Sequence, residues 1–194
     1  MLSMAREIPR ADREVRNGNW IKKELMGREL SGKYLGIVGL GNIGKKLARH
    51  AKSLNMNIIG YDVVPIDEEF SKEVGLMKAD LDTLLSSSDY VSLHVPLLES
   101  THHMINNEKL KLMKKTACII NTARGGVIDE DALYNSLKEG NLANAALDVF
   151  EAEPATGNKL TTLPNFIATP HIGAQTKEAQ SLAANIIAEK IIQI

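Results

Sequence analysis

Tyr34-Leu35-Gly36-Ile37-Val38-Gly39-Leu40-Gly41-Asn42-Ile43-Gly44 is the stretch that decides the fold. Its first half is a β-rich apolar run, and its second half is a Gly-x-Gly-x-x-Gly turn. Beyond it, Ile43, Leu47, Ala48, Ala51 and Leu54 recur at helical spacing on one face, so a strand feeds a helix through three glycines. Gly39 permits the tight bend, Gly41 lets a pyrophosphate approach the backbone, and Gly44 lets the helix pack closely on the strand. The free amides at the helix start then bind that anion. The run 57–62 reads as the next strand and ends on Asp62, 62 − 41 = 21 residues past the middle glycine. A dinucleotide-binding βαβ unit carries an acidic ribose ligand about 20 positions on.

A carboxylate at Asp62 accepts hydrogen bonds from ribose hydroxyls and repels a 2′-phosphate. The adjoining Val63-Val64-Pro65 offers no arginine to hold one, so the cofactor reads as NAD rather than NADP. Two alternatives fit a glycine turn: a flavodoxin-like sheet with no ligand there, and an S-adenosylmethionine site, which also uses an acidic ribose ligand. The strand before the turn, the helix after it and Asp62 together favour NAD.

From about Lys33 onward, short β-rich runs alternate with helical-period stretches. This is the pattern of a Rossmann-type, doubly wound α/β fold, a mainly parallel sheet with helices on both faces. Further strands read at 76–78, 90–95, 117–122, 143–149 and 166–169, and helices at 66–74, 81–86, 106–113, 130–139 and from 175 to the end. Asp129 can cap the helix at 130, and Gly140 follows its last turn. Residues 1–31 differ in character. Positions 2–8 are helical in composition, Pro9 should kink or restart the helix, and Asn17-Gly18 ends the second piece before the lone Trp20, which makes an arm. Residues 32–174 then form the dinucleotide domain and 175–194 a terminal helix. Leu182, Ile186, Ile187, Ile191, Ile192 and Ile194 make that helix strongly apolar, which suggests a packing partner in another chain or a further domain.

With 194 residues, 44% hydrophobic and 24% charged, the chain suits one well-buried domain. A net charge of −1 with both signs mixed argues against a nucleic-acid partner. The single Cys118 lies in an apolar run, which suits a reducing cytoplasm. No apolar stretch nears the ~20 residues of a membrane span. Arg6, Glu7 and Pro9 interrupt what would be a signal-peptide core, so a soluble, unexported chain is expected.

Three side chains follow late strands: Arg124 in Asn121-Thr122-Ala123-Arg124-Gly125-Gly126, Glu153 in Asp148-Val149-Phe150-Glu151-Ala152-Glu153-Pro154, and His171 in Thr169-Pro170-His171-Ile172-Gly173. Ligands of open α/β sheets bind outside the carboxyl ends of the strands. Reducing a 2-oxo acid needs a cation for the carboxylate, an acid for the carbonyl oxygen and a hydride donor. Arginine offers a planar fork that keeps its charge, so Arg124 takes the first role. His171 is the acid, with Glu153 orienting the ring and favouring its protonated form. In the oxidation direction His171 accepts the hydroxyl proton. The adjacent His102-His103 lack metal-ligand spacing and read as a solvated loop, His50 as surface, and residues 86–88 as a serine turn; no metal is expected.

These motifs closely resemble the D-isomer-specific 2-hydroxyacid dehydrogenases, and within them the D-3-phosphoglycerate dehydrogenases of serine biosynthesis. The likeness runs through Gly32-Lys33, residues 36–44, His94-Val95-Pro96-Leu97, residues 121–129, Ala146-Leu147-Asp148-Val149-Phe150 and Pro170-His171-Ile172-Gly173-Ala174. It implies the catalytic set Arg124, Glu153 and His171. It also implies cofactor contacts at Asn42, Ile43, Asp62, Val95, Pro96, Thr122, Ala123, Arg124, Asp148, His171, Gly173 and Ala174, besides Gly39, Gly41 and Gly44, with Asp148 facing the nicotinamide carboxamide. Members carry a second, discontinuous substrate domain, so this chain resembles the cofactor domain alone, with NAD binding retained and turnover weak. The resemblance further implies a homodimer in which the arm, with Trp20, packs on a second copy. Formate dehydrogenases usually have glutamine where Glu153 stands, which weighs against them. Glyoxylate and hydroxypyruvate reductases and D-lactate dehydrogenases stay open, as does a corepressor-like module that senses NAD(H) without turnover.

Overall fold

The computed structural model describes the backbone of residues 1–192, and within it the side chains of all but 183, 184 and 187–192. Seven strands make one parallel sheet: β1 (Tyr34–Val38), β2 (Asn57–Tyr61), β3 (Leu76–Lys78), β4 (Tyr90–Leu93), β5 (Cys118–Asn121), β6 (Asn144–Leu147) and β7 (Phe166–Ala168). Their spatial order is β3-β2-β1-β4-β5-β6-β7. The fold is thus the doubly wound α/β sheet expected from the alternation of runs. β1, β4 and β5 are apolar almost throughout because both sheet faces are covered. Leu35 and Ile37 point to one face and join Met4, Ala48, Ala51 and Phe70; Val38 on the other joins Leu84, Leu85, Leu110 and Leu133. Helices α3 (Asn42–Ser53) and α4 (Glu68–Val74) cover the first face, and α5 (Leu81–Ser87), α6 (Asn107–Leu112) and α7 (Glu130–Lys138) the second.

The chain order reverses beside β1. After β3 at the far edge it crosses back to β4, which pairs with the free side of β1 with Val38 opposite Leu93. The carboxyl ends of β1 and β4 therefore diverge into loops that leave in opposite directions, the topological switch point where such sheets bind ligands. Gly39 sits there at φ 91°, where a Cβ would come within 2.6 Å of the His94 carbonyl oxygen. Only glycine fits.

Strands β2, β4, β5, β6 and β7 are each one to three residues shorter than the runs read from sequence. The apolar pattern runs past the last ladder bond into loops whose first residues stay buried, such as Asp148 and Val149. Side-chain caps start α4 to α7: Asp67, Asp80, Asn106 and Asp129 each accept an amide of the following turn. The serine run is not a turn. Ser86 and Ser87 belong to α5, and Ser88 is buried, its hydroxyl donating to the Leu84 carbonyl at 2.6 Å. Nor is His103 merely solvated, since its ring bonds Glu151. On α3, Ala48 and Ala51 are fully buried, whereas Ile43 and Leu54 at the two ends of the apolar stripe are exposed.

The arm forms α1 (Leu2–Ala5) and α2 (Ile8–Arg16), with Glu7 in a left-handed conformation between them where Pro9 restarts the helix. Met4 and Ala5 insert into the core, while Leu2, Ile8, Val15, Trp20 and Met26 are exposed, Trp20 to 79%. Helix α8 (Lys177–Ile192) starts where Thr176 accepts the Ala179 amide. Leu182 and Ile186 on it are exposed. The side chains of Ile187, Ile191 and Ile192, and all of Ile194, lie outside the described residues. Among the described residues no helix is long and apolar enough to cross a membrane.

Candidate active site

The glycine turn leaves a cradle. A Cβ on Gly41 would meet nothing within 4 Å, and one on Gly44 would overlap the Gly39 carbonyl, so the first turn of α3 lies against the end of β1. No side chain among the described residues caps α3 at Gly41. Its first amides, from Asn42 and Ile43, are thus left to an outside anion, and the helix dipole favours one. Asp62 stands beside the turn and accepts the Leu40 amide at 2.6 Å and the Val64 amide at 3.0 Å. It therefore holds the turn as well as facing the crevice. Val63 and Val64 are strongly exposed next to it, bordering an open cleft of about 620 Å³ with Asp62, Pro65 and Ile66. Exposed Leu97 and Leu98 follow Val95 and Pro96 on the other side of the switch point. Apolar residues exposed at the same edge suit flat rings.

Arg124 sits in the loop after β5, which Asn121 shapes. Asn121 is 1% exposed; its Oδ1 accepts the Ala123 amide at 2.9 Å and its Nδ2 donates to the Arg124 carbonyl at 2.8 Å. The amide thus closes a small ring around Thr122 and Ala123, a local bond that asparagine makes readily after a strand. The guanidinium is exposed and donates to the Ala123 carbonyl at 2.6 Å. Among the described residues it pairs with no carboxylate.

One strand along, Asp148 follows β6 and organises the loop after the next strand, β7. It is 4% exposed, and its carboxylate accepts the Thr169 hydroxyl at 2.5 Å, the Ile172 amide at 2.9 Å and the Gly173 amide at 2.8 Å. Its carbonyl takes the His171 amide at 2.8 Å. Burial alone would push the Asp148 carboxyl up, but these hydrogen bonds outweigh it and hold the group below its usual value. The same bonds fix His171 at φ 55°, a region rarely used by residues other than glycine. Asp148 is in this way tied to the His171 loop. Gly173 and Ala174 are exposed just beyond it.

The structure brings Glu153 and His171 together, with Oε2 and Nδ1 2.8 Å apart, while Glu153 Oε1 accepts the Phe150 amide at 3.0 Å. The His171 bond foremost, then the Phe150 amide, hold the Glu153 carboxyl below the usual carboxylate range. With Nδ1 engaged, the imidazole keeps Nε2 as its second proton-exchanging atom. A mostly apolar cleft of about 420 Å³ adjoins the pair, lined in part by Phe150, Pro154, Thr169 and Pro170. Arg124 touches neither partner; it follows β5, two strands from β7, or about 10 Å across the sheet edge. The loops that carry Arg124 and His171 thus leave the same sheet edge two strands apart. His94, next to the switch point, bonds the Ser92 hydroxyl through Nε2 at 2.9 Å, and burial lowers its pKa. Neither residue type nor spacing marks this pair, or the positioning roles of Asn121 and Thr169.

Comparison with known proteins agrees with the fold and with its dinucleotide-binding class. The chain is 49% identical over its whole length to D-3-phosphoglycerate dehydrogenase of Methanocaldococcus jannaschii, covering 37% of that protein. It is 48% identical, again over its whole length, to hydroxypyruvate reductase of Thermotoga maritima, covering 63%. It thus spans less than two thirds of either relative. Among solved structures, D-lactate dehydrogenase of Aquifex aeolicus complexed with NAD and lactic acid matches with a TM-score of 0.87 and 34% identity, over 99% of this chain and 63% of that one. Residues 1–173 match the family described as D-isomer specific 2-hydroxyacid dehydrogenase, NAD binding domain. The chain belongs to that family, whose domain holds NAD as its cofactor.

Proposed function

We infer that this chain is the NAD-binding part of a dehydrogenase that interconverts small D-2-hydroxy acids and 2-oxo acids, with 3-phosphoglycerate dehydrogenase-like chemistry as the specific reading. The observation that carries it is the Glu153–His171 hydrogen bond at the sheet edge shared with Arg124 and the uncapped glycine turn. The turn's open face at Gly41 and the amides of Asn42 and Ile43 fit a pyrophosphate, and Asp62 fits the ribose hydroxyls. Val95, Pro96, Thr122, Ala123, Asp148, Gly173 and Ala174 complete the contacts along the same edge.

NAD, when bound, supplies the hydride acceptor or donor. Arg124 grips the substrate carboxylate through its planar fork. His171 gives a proton from Nε2 to the carbonyl oxygen in reduction and takes the hydroxyl proton in oxidation. Glu153 keeps the ring oriented and stabilises its charged form. Asp148, through the Ile172 and Gly173 amides, holds the backbone that presents the ring.

Residues 1–31 act as an interaction arm, 32–174 as the NAD domain and 175–194 as a helix leading toward a substrate domain. The exposed Trp20, Met26, Val15 and Ile8 support a homodimer formed through the arm. A cytoplasmic place in serine biosynthesis follows from the 3-phosphoglycerate reading. Following NADH absorbance with 3-phosphohydroxypyruvate, hydroxypyruvate, glyoxylate and pyruvate tests the reaction. Turnover with at least one, removed by His171→Gln while NADH still binds, supports the reading; NADH binding with no turnover in a full-length relative carrying this domain would leave a sensing module instead.

A further inference from the structure

His103 and Glu151 lie outside the Arg124, Glu153 and His171 set, yet they join the loops that carry it. Glu151 Oε1 accepts His103 Nε2 at 3.0 Å and the Glu130 amide at 3.1 Å. In return the Glu151 amide donates to Glu130 Oε1 at 2.7 Å, so the loop after β6 and the first turn of α7 bracket each other. Glu130 Oε2 is satisfied by Asn158 Nδ2 at 2.6 Å. Both carboxylates stand at the start of α7, where the helix dipole favours negative charge. His103 is held from its other side as well. Its amide donates to the Gly126 carbonyl at 2.7 Å, and its ring stacks on His102 with centroids 3.9 Å apart. At φ 49° it adopts a conformation that side chains rarely take without external restraint.

Phe150, one residue before Glu151, is the pivot. Its amide holds Glu153 Oε1, and its carbonyl lies so close to Gly125 that a Cβ there would overlap it. Its position therefore sets Glu153 on one side and the backbone next to Arg124 on the other. We propose that His103 is a positioning residue for this site: through Glu151 it fixes Phe150, and through Phe150 the placement of Glu153 and Arg124. The proposal rests on the roles given above to those two residues.

Two variants separate the hydrogen bond from ring packing. His103→Phe keeps a ring against His102 and loses the donor, whereas His103→Gln keeps an amide donor within reach of Glu151. The Glu153 carboxyl, held low by His171 and the Phe150 amide, is followed by carbon NMR titration. In His103→Phe its midpoint rises toward the ordinary carboxylate value by about half a pH unit or more. Oxamate, as a small 2-oxo acid mimic, binds the NADH-loaded variant about fivefold more weakly, with NADH affinity itself held within about twofold. His103→Gln returns both readouts toward wild type. A His103→Phe protein that melts earlier but keeps the wild-type Glu153 midpoint and oxamate affinity overturns the proposal, because His103 is then only structural. Failure of the wild type to bind NADH or oxamate counts against the proposed function, and the Glu153 midpoint then decides the positioning role alone.

Discussion

Replacing Asp148 with asparagine tests the arrangement where it is most constrained. The carboxylate accepts three hydrogen bonds from one loop, and the substitution turns one acceptor oxygen into a donor facing the Ile172 or Gly173 amide. Bonds to a charged group contribute about 1.5–3 kcal/mol each. Ile172 and Gly173 are exposed, so water takes over part of the lost bonding, and the net cost is about 2–3 kcal/mol. For a domain of this size that lowers the melting temperature by about 4–12 °C. The pH dependence identifies the cause. Because the folded carboxyl is held below its ordinary value, its contribution is fully present above the unfolded pKa and is lost as pH falls through the folded one. The gap between wild type and Asp148→Asn, read by calorimetric melts, is therefore wide near neutrality and narrows in acid. A gap that is absent, or equally wide at both pH values, refutes the account of Asp148 as a charged anchor of the His171 loop.

Asn121→Leu removes the two local bonds that shape the Arg124 loop and leaves the buried volume similar. It should weaken oxamate binding to the NADH-loaded chain about tenfold and spare NADH itself, as titration calorimetry can check. Glu153→Gln keeps an acceptor for the Phe150 amide and loses the charge beside His171. Folding by circular dichroism should be unchanged and turnover in a full-length relative carrying the substitution should fall at least tenfold, to about one hundredfold; a smaller loss counts against Glu153 as the partner of the ring. Trp20→Ala with Met26→Ser removes the two most exposed apolar residues of the arm. Sedimentation should then shift from dimer toward monomer, and a wild type that is already monomeric contradicts the arm's assigned role.

The sheet was legible because covered parallel strands must be apolar on both faces, and the runs around β1, β4 and β5 have no polar alternation to confuse them. Strand ends were less so: Val149 and Phe150 are as apolar as the strand before them but are buried under a loop, and composition cannot tell those two kinds of burial apart. The place of Asp62 beside the glycine turn was legible from spacing alone, because the βαβ geometry fixes how far it lies from that turn. Asn121 and Thr169 could not. Their roles are hydrogen bonds to a neighbouring loop backbone, and nothing in residue type or spacing records where that backbone lies. The His103–Glu151 bond was hidden for the same reason, since Glu151 is 48 positions away along the chain.

The central claim is that one sheet edge holds NAD between the glycine turn and the Arg124 and His171 loops, and a crystal structure of the chain with NADH and oxamate tests it most directly. The account predicts the pyrophosphate on the first turn of α3, the ribose on Asp62, and oxamate with its carboxylate on Arg124 and its 2-oxo oxygen on His171 Nε2. A dinucleotide bound elsewhere, or oxamate reaching only one of those two side chains, would contradict it.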